Sequence, residues 1–159
     1  MDITENLMNK NIMDSAIKHE LYIIARKSLE SIKGYELAIE KVQSDDLRTY
    51  FEDKKRKRNQ FLTNLELLSQ IHIDRTIGDS FASSLYRSWI DFKTFFWGNE
   101  EEVMITESLK GDQSTLWRYD QLLAFNSFPS KEIDSLLSNQ RDELVKEIDQ
   151  LRNLIPSYL

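Results

Sequence analysis

Four long stretches of this chain repeat apolar residues at the i, i+3, i+4, i+7 spacing of one helical face, with hardly a glycine or proline to interrupt them. Residues 14–42 place Ile17, Leu21, Ile24, Tyr35, Ala38 and Val42 on such a stripe, with Leu29, Ile32 and Ile39 beside it. Residues 45–72 repeat the pattern with Leu47, Phe51, Phe61, Leu65 and Leu68, behind Ser44-Asp45-Asp46, a cap followed by an acidic first turn. A third stripe, Ile105, Leu109, Leu116, Tyr119 and Leu123, opens at Asn99 with Glu102 in capping-box spacing. The fourth, Ile133, Leu137, Leu144, Ile148 and Leu151, is capped by Ser130 after Phe128-Pro129 and ends near Pro156. With four glycines and two prolines among 159 residues, the chain lacks the residues that build tight turns and sheet corners. Each predicted helix is about 26–29 residues, or roughly 40 Å at 1.5 Å per residue.

Between the second and third stretches, Asp79-Ser80 predicts the cap of a shorter helix that runs to Trp97 and stops at Gly98. Connections of a few residues make the first two helices one antiparallel hairpin and the last two another. Joined by a crossover with its own helix, two such hairpins form an all-α, ferritin-like antiparallel four-helix bundle. The competing coiled-coil rod requires narrower stripes and no long crossover. Residues 1–13 read as an N-terminal arm, carrying Ile3, Leu7, Met8 and Ile12 and able to dock on a neighbouring subunit, and residues 14–159 as one domain.

Several classes of function are disfavoured at once. No cysteine is present, so disulfides, thiolate metal sites and thiol nucleophiles are all unavailable. The first residues lack a basic start and apolar run, and no segment is long enough to span a bilayer, which predicts a cytoplasmic protein with no membrane role. A net charge of −6 disfavours generic binding to nucleic acid. The basic run Lys54-Lys55-Arg56-Lys57-Arg58 is the local exception, but on a helix five consecutive residues spread around the circumference and make no single basic face. No hydrolase or kinase spacing and no glycine-rich phosphate loop is found.

The apolar stripes break at similar depth in all four long helices. Ser28 and Ser31 interrupt the first, Lys54 and Arg58 the second, Asp112 the third and Gln140 the fourth. An antiparallel bundle stacks these into one central polar layer, in which buried charges must pair, hydrate or bind something. The expected pairing is Arg58 with Asp112, with Gln140 and the serines completing the hydrogen bonds. A di-metal carboxylate site would need Glu-x-x-His on two helices, yet Ala16 precedes His19 and Ser69 precedes His72 at that spacing. No cofactor is therefore expected. The alternative is iron or manganese held by oxygen ligands, for which Glu30, Glu107 and Asp112 are the candidates.

The crossover helix is the most aromatic piece. Ala82, Leu85, Trp89, Phe92 and Phe96 make one stripe, and Tyr86, Ile90 and Trp97 fall on another. One bundle surface covers only the first, so the second is a candidate subunit interface that predicts a homo-oligomer.

Gly34-Tyr35 followed by Ala38 and Val42, the crossover's Leu85-Tyr86-Arg87-Ser88-Trp89, and Glu107 with Lys110-Gly111-Asp112 and Tyr119 together resemble a bacterial family of uncharacterised ferritin-like four-helix-bundle proteins, a domain of unknown function. The resemblance extends from about residue 14 to 153, Gln140 included. It implies the bundle fold and leaves activity open. Members of that family typically carry His and Gly where this chain has Tyr86 and Ser88, and more acidic residues near Leu109 and Gln113. Those departures imply that any metal chemistry of the family is reduced here. The expectation is a non-catalytic bundle acting through self-association or protein contacts, with a metal-binding oxidoreductase or metal-storage protein as the alternative.

Overall fold

The computed structural model describes residues 2–95, 100–125, 128 and 130–154, with the side chains of residues 5–14, 92–95 and 125 left aside. Five helices follow one another: α1 (Ile3–Lys41), α2 (Asp45–Ser69), α3 (Ile77–Phe95), α4 (Glu100–Phe125) and α5 (Lys131–Leu154). α1 packs on α2, α4 on α5, α1 on α4 and α2 on α5, which closes a square bundle, and α3 lies along α1. This is the all-α, two-hairpin layout with a crossover helix that the apolar stripes predict.

The helix starts follow local chemistry. Ser44 Oγ accepts the backbone N–H of Leu47 at 3.3 Å, and Ser130 Oγ that of Ile133 at 3.2 Å, each satisfying a donor the helix itself leaves free. In the turn from α1 to α2, the carboxylate of Glu101, in the first turn of α4, accepts the N–H groups of Gln43 at 2.6 Å and Ser44 at 2.7 Å. One side chain of the second hairpin thus fastens the turn of the first.

Three boundaries depart from the sequence reading. α1 starts at Ile3, capped by Asp2, so the backbone of the supposed arm continues the first helix. α2 stops at Ser69 because Gln70 adopts a left-handed conformation, φ 56°, and His72 lies in the following loop with its side chain 88% exposed. α3 begins at Ile77, ahead of Asp79-Ser80, because Asp74 caps the preceding turn by accepting Thr76 N–H at 2.9 Å. Gly78 fits there against α1: a Cβ on it would lie 3.3 Å from Leu29 Cγ and 2.9 Å from Lys33 Cε. The expected stops at Gly98 and Pro156 and the cap at Asn99 lie outside the described residues.

The interior has two apolar lobes. One gathers Ile17 to Ile32 of α1, Phe61, Leu62 and Leu65 of α2, Ile73, Tyr119 and Leu122 of α4 and Ile133 to Leu144 of α5. The other gathers Tyr35, Ala38 and Val42 of α1, Leu47 and Phe51 of α2, Trp89 of α3, Met104 and Ile105 of α4 and Leu151 of α5. Burial of this much apolar surface is the main force that holds the bundle together. What separates the lobes is polar.

Candidate functional site

Between the two lobes, Ser28, Lys54, Arg58, Asp112, Gln140 and Glu147 are all buried. Lys54 and Arg58 stand one helical turn apart on α2 and project inward together, while Lys55, Arg56 and Lys57 point outward and pair with Glu36, Asp53 and Glu143. The basic run is thus split by helix geometry into two core cations and three surface ion pairs. Lys54 Nζ forms a close ion pair with Asp112 Oδ2 of α4, and Arg58 Nη2 donates to Glu147 Oε2 of α5 at 2.5 Å. A further 3.9 Å approach of Lys54 to Glu147 links the two pairs.

Aromatic groups enclose this network. Tyr35 OH donates to Asp112 Oδ1 at 2.9 Å, and the Lys54 ammonium lies 4.8 Å from the Tyr35 ring centroid and 5.2 Å from that of Tyr50. Tyr50 OH donates to the backbone carbonyl of Glu147 at 3.2 Å. Burial raises the Tyr35, Tyr50 and Tyr119 phenols well above their ordinary ionisation range, and the nearby Asp112 and Glu147 carboxylates add to this for Tyr35 and Tyr50. Burial lowers the Lys54 value, against the pull of Asp112 and Glu147. For Arg58 burial opposes the charge, but the Glu147 and Asp112 carboxylates keep the guanidinium protonated. The layer is a set of matched opposite charges with its tyrosines neutral.

The expected pairing of Arg58 with Asp112 is corrected: Lys54 takes Asp112, and Arg58 reaches across to Glu147. Glu147 escapes the sequence reading because Ile148, one residue on, keeps the α5 stripe apolar. The spacing 140, 144, 147, 151 nevertheless marks it as a core position, a usable signal once Gln140 is placed in the interior. Ser28 donates to the Ile24 carbonyl within its own helix at 3.0 Å, and Ser31 is only half-buried and borders a cavity outside the layer. Gln140 Nε2, Arg58 Nη1 and Glu147 Oε1 make no hydrogen bond among the described residues, so the Gln140 amide nitrogen donates nothing to the network.

Iron or manganese, the alternative read from the sequence, meets a set of oxygen donors that is already engaged. The two core carboxylates already hold cations, and the histidines are elsewhere, His19 on the exposed side of α1 and His72 in the loop after α2. Glu30, Glu107 and Asp112 do border one cavity, but Glu30 pairs with Arg26 at 3.2 Å, Glu107 with Lys110 at 3.1 Å, and Asp112 with Lys54. Among the described residues no three or more His, Asp or Glu side chains converge on a metal position.

That cavity, about 360 Å³, opens between α1, α3 and α4. Tyr35 and Asp112 form part of its floor, and Gly34 of α1 and Gly111 of α4 border it; a Cβ on either would meet nothing within 4 Å. Leu85, Ser88 and Trp89 of the crossover motif form its outer side. Of the candidate interface residues, Tyr86 and Ile90 are exposed on the other face of α3, as their stripe predicts, and Trp97 lies outside the described residues.

A bundle of two hairpins with a helical crossover and a central polar layer is a ferritin-like domain. A structural match agrees: over 92% of this chain and 40% of the other, it superimposes with a TM-score of 0.69 and 17% identity on a two-domain protein from Anabaena variabilis ATCC 29413 containing DJ-1/ThiJ/PfpI-like and ferritin-like domains. The chain thus spans well under half the length of that protein, and the likeness shows the fold alone. By sequence, residues 16–126 match the family described as a domain of unknown function (DUF2383), and the chain belongs to that family. The match takes in α2, α3, α4 and the part of α1 from residue 16 onward, but ends before α5, short of the residue 153 to which the motif resemblance extends. Curated proteins offer no match. Among the described residues, no helix is long and apolar enough to cross a membrane.

Proposed function

We propose that this chain is a non-catalytic, cytoplasmic member of the ferritin-like fold that works by contact, with other copies of itself or with another protein. The observation that supports this most is the pair of buried cations, Lys54 and Arg58, set against Asp112 and Glu147. Two positive charges at the centre of the bundle neutralise the carboxylates that would otherwise attract a metal ion, and they repel one that approaches. Register and rigidity are what such a layer supplies to the fold. The outward face of α3, with Tyr86 and Ile90 exposed, is the surface proposed for association. Nucleic acid is not a proposed partner, since Lys55, Arg56 and Lys57 each spend their charge on a neighbouring carboxylate.

Elemental analysis of protein purified without chelators is the test of the first half of this reading. Iron or manganese below a tenth of an equivalent is expected. Stoichiometric metal that disappears in Asp112→Ala would replace the proposal with the metal-binding alternative, in which Glu30, Glu107 and Asp112 supply oxygen ligands. For the second half, sedimentation should show an oligomer that Tyr86→Asp with Ile90→Asp dissociates; a monomer with no interaction partner on that face removes it.

A further inference from the structure

Beyond that contact function, we propose that the cavity between α1, α3 and α4 is a binding site for a small amphipathic carboxylate, with its anionic head at Lys27 and its apolar body under α3. At about 360 Å³ the cavity falls in the size range of ligand sites.

The cavity is polarised along its length. α1 and α4 run antiparallel, with Glu20 paired to Arg118 at 3.2 Å and Tyr35 bonded to Asp112 at 2.9 Å. Between these two points the register sets Lys27 opposite Thr115, so one end of the cavity is bordered by Lys27, Ser31, Ser114 and Thr115. The other end is bordered by Leu37, Ala38, Leu85, Trp89, Val103 and Met104. Such an arrangement suits a molecule with one polar end and one apolar end.

Charge accounting selects the sign of the head group. Each carboxylate on the wall has a cation: Arg26 for Glu30, Lys110 for Glu107 and Lys54 for Asp112. Lys27 borders the same cavity and has no ion-pair partner among the described residues. One uncompensated positive charge at the polar end favours a monoanion over a cation or a neutral molecule. Midway, the hydroxyl of Ser108 is buried at the wall without a hydrogen-bond partner among the described residues, a second polar group available to a ligand.

The two glycines make the site specific to test. Gly34 and Gly111 sit within helices, where a larger residue has the better helix propensity, and both have open space where the side chain would go. Gly34→Leu and Gly111→Leu are therefore expected to fill the cavity without unfolding the bundle. Decanoate, decanol and decyltrimethylammonium serve as probes, titrated against the full chain by calorimetry and by melting temperature. Decanoate should bind saturably and raise the melting temperature, with decanol and the cation binding about tenfold or more weakly. Lys27→Gln should lower decanoate affinity about tenfold and leave decanol unchanged, and Gly34→Leu should abolish binding while its unliganded melting temperature stays level or rises. Absence of decanoate binding, equal binding by Gly34→Leu, or preference for the cation overturns the inference. If Gly34→Leu unfolds, Gly111→Leu carries the same comparison. None of these readouts depends on metal content or on oligomeric state, so failure here is distinct from failure of the contact function.

Discussion

Replacing Lys54 by methionine deletes the ammonium while keeping an unbranched stem between the rings of Tyr35 and Tyr50, and so isolates the charge. The side chains of Lys54 and Asp112 are 1% and 4% exposed, so the variant leaves a carboxylate in the core without its cation. Breaking a buried pair in this way costs about 3–5 kcal/mol. Tyr35 still donates to Asp112 Oδ1 at 2.9 Å, which argues for the lower end, about 3 kcal/mol. For a domain of this size, that corresponds to a fall in melting temperature of about 6–12 °C. The informative comparison is the double variant Lys54→Met with Asp112→Asn, which removes both charges but keeps an acceptor for Tyr35. It should recover to within about 1 kcal/mol of the parent, because burying no charge avoids the desolvation that the pair must offset. Guanidinium chloride unfolding followed by circular dichroism, with an unchanged m-value, measures all four corners of the cycle. A single-variant loss below about 1 kcal/mol, or a double variant as unstable as the two singles summed, would show that the two groups do not form a buried pair.

Alkaline pH should unfold the bundle through its tyrosines. Tyr35, Tyr50 and Tyr119 each have a folded-state value raised above the ordinary 10.0. Their contribution is complete below that value and is lost as pH rises past it, because the unfolded chain releases those protons first. Lys54, with its value lowered, acts in the opposite sense, but it is one group against three. Denaturant unfolding across this pH range should lose stability above pH 10, with tyrosinate absorbance appearing together with loss of helix; tyrosinate forming freely in the folded protein would contradict the burial described. At the end of α2, Gln70→Gly should stabilise the protein by about 0.5–1 kcal/mol, since Gln70 holds φ 56° where glycine incurs no steric penalty. A lower melting temperature for that variant would mean that the Gln70 side chain has a role of its own.

Amino-acid order alone was enough for the elements and their pairing, because each rests on local physics. Apolar residues at helical spacing, Ser44 and Ser130 as caps and the short connections all act within a few residues of chain. The polar layer was legible for the same reason: Lys54, Arg58, Asp112 and Gln140 each interrupt an otherwise apolar stripe. Its wiring was not. Whether Asp112 meets Lys54 or Arg58, and whether Glu147 joins them, depends on the axial offset and rotation of α2, α4 and α5, to differences smaller than one helical turn. The cavity was likewise invisible in sequence. It exists because α3 lies along α1 at a distance from α4, and because Gly34 and Gly111 fall at the same depth on facing helices. A stripe specifies which face turns inward, whereas the space left between three helices is decided only when they pack.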